Sequence, residues 1–403
     1  MSTAILTPGL MRIGAGSSRD LPELLDQLKL RKPLIIAGPV IIRFGYLERV
    51  TEPLDSAGIS YGVFSDVPPD PTDTTVEQAL AELSQADYDC VVGLGGGSSM
   101  DTAKMVAVMG VGGGRVRDYA APVDNQAPGL PIIAIPTTAG TGSEATRVTI
   151  ITDAENDEKL LCMGRAFMPA AALIDYEMTL TMPFRITADT GIDSITHAME
   201  AYVSRKANPF SDALALAAMK SLYENIRTAC SEPENGPARE AMMLGATQAG
   251  MAFSNASVAL VHGMSRPIGA NFHVPHGLSN AMLLPAVTAF SVPFAQSRYA
   301  DCARQMGMVP AGTHDVVANR ILIEELQRLN EDLRVPSPLE YGIDERAYMD
   351  LLPTMAEQAL ASGSPANNPV VPDAQQIIEL YQAVYASATN TILTAPLRCA
   401  NAV

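Results

Sequence analysis

The sequence lacks the features of a disulfide-stabilised, nucleic-acid-binding or membrane protein. Its five cysteines are odd in number, widely spaced and without a C-x-x-C pair, which favours reduced thiols in the cytoplasm: Cys90, Cys162, Cys230, Cys302 and Cys399. A net charge of -17 argues against nucleic acid as a partner, because phosphate contacts need a basic face. No uninterrupted run of about 18 apolar residues and no basic leader followed by an apolar stretch is present, so we expect neither a membrane span nor export.

The chain, at 403 residues, is longer than one hydrophobic core usually holds, so two domains are expected. Short apolar runs alternate with helical patterns at first, and the predicted strands are 34–37, 60–64, 90–94 and 131–136. This alternation predicts a parallel sheet covered by helices on both faces. After Pro183 only long helical patterns remain. We predict an α/β domain at residues 1–183 and an all-helical domain at 184–403.

Histidine is scarce, with five in the chain, so its placement is informative. Asp193 and His197 lie four apart on a predicted helix and project from the same face. His262 and His276 bracket a Gly/Pro-interrupted stretch that could fold the second histidine back beside the first. One carboxylate and three imidazoles suit Fe(II) or Zn(II) and Lewis-acid chemistry. The competing interpretation is that these histidines only satisfy hydrogen bonds in a core.

A glycine-rich segment joins the predicted strand at 90–94 to a helix that begins near Met100, and it consists of Gly95, Gly96, Gly97, Ser98 and Ser99. Glycines let the backbone approach a ligand, Ser98 or Ser99 can cap the helix, and free amides with the helix dipole favour an anion such as a pyrophosphate. Asp101, in the same segment, is a further candidate for cofactor binding. The segment is neither G-x-G-x-x-G nor a Walker A loop, and an ordinary strand-to-helix turn is the alternative.

Together these segments resemble the iron-containing (group III) alcohol dehydrogenase family over nearly the whole chain. The resembling segments include GGGSSMDTAK at 95–104, PIIAIPTTAGTGSEAT at 131–146, TGIDSITHAMEAYVS at 190–204 and VHGMSRPIGANFHVPHGLSNAMLLP at 261–285. The resemblance implies a dehydroquinate-synthase-like fold, with an α/β NAD(P)-binding domain, an all-α metal-binding catalytic domain and usually a homodimer. It also implies an iron-dependent enzyme that interconverts a primary or secondary alcohol and its aldehyde or ketone.

The resemblance assigns roles to individual residues. The family's metal ligands fall on Asp193, His197, His262 and His276, the four residues that their chemistry also selects. Its pyrophosphate loop falls on residues 95–99. The other cofactor positions fall on a second loop and on two residues that line the nucleotide and nicotinamide: Thr137, Thr138, Thr141, Ser143, Lys159 and Leu180. Members that prefer NAD often carry an acidic residue where Gly38 stands here, so NADP should be tolerated and the preference stays open.

Two positions depart from the commonest family pattern. Arg266 stands where many members carry a histidine, and its guanidinium could anchor an anionic substrate such as an ω-hydroxy acid, unless it pairs with a local carboxylate for structure. His273 stands where asparagine is frequent and is similar to hydroxy-acid members. It could relay a proton, or it could be an ordinary surface or core histidine.

Two other functions compete with a small-molecule alcohol dehydrogenase. A dehydroquinate-synthase-like lyase shares the fold, nucleotide and metal, but it would need several basic residues in its pocket, and the segment 262–276 offers only Arg266. A non-enzymatic metal- or nucleotide-binding protein is the other alternative. Retention of both the ligand set and the glycine loop counts against it.

Overall fold

The computed structural model describes residues 3–156 and 158–386, and the chain divides into two compact units. The first unit comprises Met1–Pro183 and Glu232–Ser254, and the second comprises Phe184–Ser231 and Asn255–Val403. Glu232–Ser254 thus groups with the first unit, whereas the sequence-based division placed it in the second domain. Close backbone contact is the reason, since a Cβ on Gly250 would lie 2.6 Å from the Gly142 carbonyl oxygen.

A six-stranded parallel sheet, in the order β1-β8-β5-β4-β2-β3, forms the centre of the first unit. Its strands are β1 (Leu10–Ile13), β2 (Pro33–Ala37), β3 (Gly62–Phe64), β4 (Cys90–Gly95), β5 (Ile132–Pro136) and β8 (Ala171–Ile174). A separate antiparallel pair consists of β6 (Val148–Asp153) and β7 (Glu158–Met163). The four predicted strands are present as β2 to β5. The strands β1 and β8 and the β6–β7 pair were not predicted from the sequence.

Both faces of the sheet are buried, and β2 shows how. Leu34 and Ile36 project into one apolar cluster, while Ile35 and Ala37 project into another. A strand covered on both faces reads as a continuous apolar run, which is why the sequence revealed it. The helices of this unit are α1 (Leu21–Leu28), α2 (Pro39–Arg43), α3 (Tyr46–Ser56), α4 (Asp73–Leu83), α5 (Gly97–Gly112) and, but for its last residue, α8 (Gly236–Asn255).

The described residues of the second unit form helices and turns, as predicted. The helices are α6 (Phe184–Val203), α7 (Pro209–Ser231), α9 (Leu260–Phe272), α10 (His276–Ser291), α11 (Gln296–Gln305), α12 (Asp315–Asp332), α13 (Pro338–Tyr341), α14 (Glu345–Ala361) and α15 (Ala374–Tyr385). α6 packs against α7 and α10, and α9 packs against α10 and α14. The neighbouring helices α6, α9 and α10 carry the predicted metal ligands.

One helical segment, His276–Phe294, is long and apolar enough to cross a membrane by length and composition alone. However, 78% of its 18-residue window is buried inside the protein, as in the core helix of a globular protein. Four cysteines in the described part of the chain are free and buried, and Cys399 lies outside the described residues.

Candidate metal and nucleotide sites

The four predicted metal ligands lie on three helices of the second unit. Asp193 and His197 are on α6, His262 is on α9, and His276 is the first residue of α10. The Oδ1 atom of Asp193 lies 3.8 Å from Nε2 of His197, 3.4 Å from that of His262 and 3.9 Å from that of His276. Ligand bonds of about 2.0–2.1 Å around a tetrahedral ion place ligand atoms about 3.4 Å apart. This spacing therefore fits Fe(II) or Zn(II).

His197 is not part of the compact group that the other three predicted ligands form. Asp193, His262 and His276 have ligand atoms within 4.8 Å of one another. His197 stacks on His262, with ring centroids 4.5 Å apart and planes inclined by 24°. The structure thus brings three predicted ligands together as a group and places the fourth beside it.

A glycine brings His276 to the other ligands. A Cβ on Gly277 would lie 2.5 Å from the backbone carbonyl oxygen of Asp189 on α6. Only glycine therefore lets the start of α10 approach α6 this closely, which places His276 near Asp193.

Asn280, which was not predicted from the sequence, lies at the centre of this group. Its Nδ2 donates to Asp193 Oδ1 at 2.6 Å and lies 3.2 Å from Nε2 of both His262 and His276. Its Oδ1 is buried and has no hydrogen-bond partner among the described residues. Three potential ligand atoms thus converge on one electropositive group, which is the environment a cation would occupy. The spacing i+4 from His276 places Asn280 on the same helix face and could have revealed it.

Charge within the group favours a cation. Burial on its own would raise the pKa of Asp193, but the three surrounding imidazoles hold it below its ordinary value. Burial on its own would lower the pKa of His262, because it disfavours the charged imidazolium, yet hydrogen bonds to Asp193 and Glu200 raise that pKa to about 9. The carboxylates therefore hold a positive charge that a metal ion can replace.

Glu200, also missed, is a buried carboxylate on α6. It lies three residues after His197 and seven after Asp193, so the helical period places all three on one face. Its Oε2 lies 2.7 Å from Nδ1 of His262. The sequence spacing could have indicated this residue, but not its partner.

Arg266 and His273 lie on α9 and at its end, respectively. Arg266 is one turn after His262, half-buried, and no hydrogen bond or ion pair joins its guanidinium to another described residue. Burial lowers the pKa of this guanidinium, and the charge of Glu200 opposes the shift. His273 is exposed and ends α9 in a left-handed conformation, with φ of 54°.

The glycine-rich loop of the first unit connects β4 to α5. Gly95 has a φ of +147°, and a Cβ there would lie 2.5 Å from Ser99 Oγ, so both conformation and space require glycine. Gly96 is the N-cap of α5, and no side chain caps this end. The prediction that Ser98 or Ser99 caps the helix is wrong because α5 begins before them, at Gly97. The uncapped amides and the helix dipole suit an anion.

The second predicted cofactor loop lies against the first. The amide of Thr137 donates to the Gly95 carbonyl at 3.0 Å. A Cβ on Gly96 would lie 3.3 Å from the methyl carbon of Thr138, and one on Gly97 would lie 3.1 Å from that of Thr141. The Thr138 hydroxyl is buried without a hydrogen-bond partner among the described residues. This unsatisfied group beside the glycine loop fits a polar ligand such as a nucleotide.

Asp101 and Ser143 belong to a buried network that the sequence did not reveal. Asp101 accepts hydrogen bonds from Ser143 Oγ and from the amide of Ile150, each at 2.9 Å. Lys104, fully buried one turn further along α5, donates to Ser143 Oγ and to the carbonyls of residues 146 and 148 at 2.8–3.0 Å. Burial lowers the pKa of Lys104 to about 8, against the charges of Asp101 and Glu144. The network fixes the second loop onto α5.

The remaining predicted cofactor residues lie around the loop or after β8. A Cβ on Gly38 would lie 2.9 Å from the Val67 carbonyl and 4.0 Å from Ser99 Oγ, so an acidic side chain would need a backbone shift there. Ser98 donates to the Pro69 carbonyl, and the adjacent Asp70 pairs with Lys159 at 2.9 Å. Leu180 is half-buried and follows a short 3₁₀-helix at Tyr176–Thr179.

Comparisons with known proteins agree with this geometry. The family described as "Iron-containing alcohol dehydrogenase" matches residues 8–176, and "Fe-containing alcohol dehydrogenase family, C-terminal" matches residues 187–385. The long-chain-alcohol dehydrogenase 1 of Geobacillus thermodenitrificans is 38% identical, over 89% of this chain and 91% of that protein.

Solved structures extend the comparison to the fold. A crystal structure of 1,3-propanediol oxidoreductase superposes with a TM-score of 0.91 at 32% identity, covering 96% of this chain and all of that one. A sulfoacetaldehyde reductase from Bifidobacterium kashiwanohense in complex with NAD+ superposes with a TM-score of 0.86 at 26% identity, over 96% of this chain and 100% of that one.

Proposed function

Because the chain belongs to the iron-containing alcohol dehydrogenase family, we propose that it acts on an alcohol or aldehyde that carries a negative charge. The chain is an iron-containing, NAD(P)-dependent oxidoreductase that interconverts an alcohol and its aldehyde or ketone. The relatives named above are a dehydrogenase, an oxidoreductase and a reductase, and they give no support to the lyase alternative.

In the proposed site Asp193, His197, His262 and His276 would hold the ion, with Zn(II) as the alternative to Fe(II). The ion supplies Lewis-acid polarisation of the substrate oxygen, and the nicotinamide carries the hydride. The amides of residues 95–99 are proposed to bind the pyrophosphate, because they begin an uncapped helix. The unsatisfied hydroxyl of Thr138 is proposed to bind the nucleotide.

The observation that carries the substrate proposal is the guanidinium of Arg266. It has no ion-pair partner among the described residues, although it lies one turn from His262. Burial is the main cause of the lowered pKa of His276, and the charge of Arg266 adds a smaller contribution in the same direction. An arginine matches a carboxylate or a similar anion with two parallel hydrogen bonds. A related solved structure is named for an anionic aldehyde, sulfoacetaldehyde, which supports the same class of substrate here.

His273 is proposed to relay the proton that the substrate oxygen gains or loses. Arg266 cannot do so, because its guanidinium stays protonated. His273 is exposed at the end of α9, three residues before His276, so its imidazole is accessible to solvent.

The substrate proposal is tested by matched aldehydes after anaerobic Fe(II) reconstitution. NAD(P)H oxidation is measured with 4-oxobutanoate and with butanal, which share a four-carbon chain. We expect the wild type to prefer the acid. Arg266→His should lower kcat/KM for the acid by about 30- to 1000-fold, the equivalent of about 2–4 kcal/mol, and change butanal little.

Arg346→His, which removes an exposed guanidinium on α14, is the matched control and should leave kcat/KM unchanged for both substrates. The anionic-substrate proposal is wrong if the wild type prefers butanal, or if Arg266→His depresses both substrates equally.

We also propose that the protein is a cytoplasmic homodimer. Free, buried thiols support a reducing compartment, and the family resemblance supports the dimer. Light scattering of the purified protein tests the dimer, since a mass near that of one chain would contradict it.

A further inference from the structure

The carboxylate of Glu200 lies outside the ligand set but contacts it. Its side chain is buried and accepts three hydrogen bonds. These come from the amide of Ala259 at 2.8 Å, the amide of Val261 at 2.6 Å and Nδ1 of His262 at 2.7 Å. A single side chain on α6 thus contacts three of the four residues 259–262.

We propose that Glu200 is a positioning residue, which fixes the tautomer and ring orientation of His262 for the metal ion. This inference rests on the proposed metal site. When Nε2 of a histidine binds an ion, its remaining ring proton is on Nδ1. Glu200 accepts that proton and leaves Nε2 of His262 facing Asp193 Oδ1, 3.4 Å away. A carboxylate behind a ligating imidazole also raises its basicity.

Glu200 also fixes the backbone that carries His262. The N-cap residue of α9, Ala259, has no side chain that can cap the helix. Instead, Glu200 accepts the first amides of α9 from α6, and its negative charge suits the positive end of the helix dipole. Because α6 also carries Asp193 and His197, Glu200 holds the start of α9 in register with two other ligands.

The test uses Co(II) as the probe, because its visible absorption reports coordination geometry. Co(II) affinity and spectrum are measured on the full-length protein for the wild type and for Glu200→Gln. Gln keeps the size but replaces one acceptor oxygen by a donor. We expect affinity to fall about 10- to 100-fold, as for other lost partners of ligating histidines, with an altered spectrum. NADH binding should not change.

A double variant separates orientation of the imidazole from capping of the helix. Ala259→Ser introduces a hydroxyl that can cap α9, but it does not restore a carboxylate to accept the proton of His262 Nδ1. In Glu200→Gln/Ala259→Ser the Co(II) affinity should stay low. Recovery of wild-type affinity and spectrum would mean that Glu200 acts only through the helix, and the inference would be overturned.

Two further variants make the outcome decisive. Glu325→Gln removes a carboxylate of α12 that binds Tyr223, and should leave Co(II) binding unchanged. If His262→Ala abolishes Co(II) binding while Glu200→Gln retains the wild-type affinity and spectrum, the metal site stands and this inference fails. If His262→Ala binds Co(II) like the wild type, both the proposed metal site and this inference fail.

Discussion

The glycine loop of the first unit and the ligand set of the second unit are suited to their ligands by opposite means. The loop offers backbone amides, and it can do so because residues 95–97 have no side chains to obstruct a ligand. The ligand set offers side chains from three helices, supported by Glu200 and Asn280. The loop is therefore sensitive to added atoms and the ligand set to removed atoms.

The largest expected effect is the loss of metal affinity when one of the four predicted ligands is removed. His262→Ala removes a side chain that is proposed to bind the ion directly. Losing only a hydrogen-bond partner of such a ligand typically lowers metal affinity by up to about 100-fold, so the loss here should be larger. NADH affinity should be unchanged, because the proposed nucleotide residues lie in the other unit. Metal analysis of the purified variant measures the bound metal, and calorimetric titration measures the NADH affinity. Stoichiometric metal together with wild-type turnover would contradict the ligand assignment.

The next effect concerns the support of the cofactor loops. Lys104→Met leaves the Asp101 and Glu144 carboxylates without their buried counter-charge, which should destabilise this region by about 3 kcal/mol. Hydrogen exchange of the amides in α5 and β6 measures the loss. Exchange rates equal to those of the wild type would show that the network does not stabilise the loops.

The same lysine predicts a dependence on pH. Lys104 has a pKa of about 8 in the folded protein and 10.5 ordinarily, so between these values the unfolded chain binds the extra proton. Stability of the wild type relative to Lys104→Met should therefore rise as the pH increases from 8 towards 10.5. Urea unfolding of both proteins across this range measures the difference, and a constant difference would contradict the shift.

The smallest expected effect is the loss of NADH affinity when a side chain is added to the glycine loop. Gly96→Val places a side chain against Thr138, where a Cβ already lies 3.3 Å from its methyl carbon, and should obstruct the pyrophosphate. We expect the dissociation constant of NADH to rise about tenfold, or about 1.4 kcal/mol, without loss of metal. Gly312→Val is the control, since a Cβ there meets no atom within 4 Å. Unaltered NADH affinity in Gly96→Val would contradict the placement.

The fold was predictable where one local pattern dominates. The apolar runs of β2, β4 and β5 are buried on both faces, so they are distinct in the sequence. β1 and β8 were missed, because Arg12 interrupts the apolar run of β1 and β8 begins with two alanines, which favour a helix over a strand. The grouping of Glu232–Ser254 with the first unit was also missed, since it depends on the contact of Gly250 with Gly142.

The sequence by itself determined the family, the two kinds of secondary structure and the four residues proposed as metal ligands. These could be recognised because the scarce histidines and the glycine-rich segment stand out in the sequence itself, without knowledge of which residues they contact in the fold. Only the tertiary structure decided the partners of Glu200, Asn280 and Lys104. Glu200 and His262 are 62 residues apart in sequence, and Lys104 and Ser143 are 39 apart. A hydrogen bond depends on distance in space, and chain folding alone brings such atoms within reach.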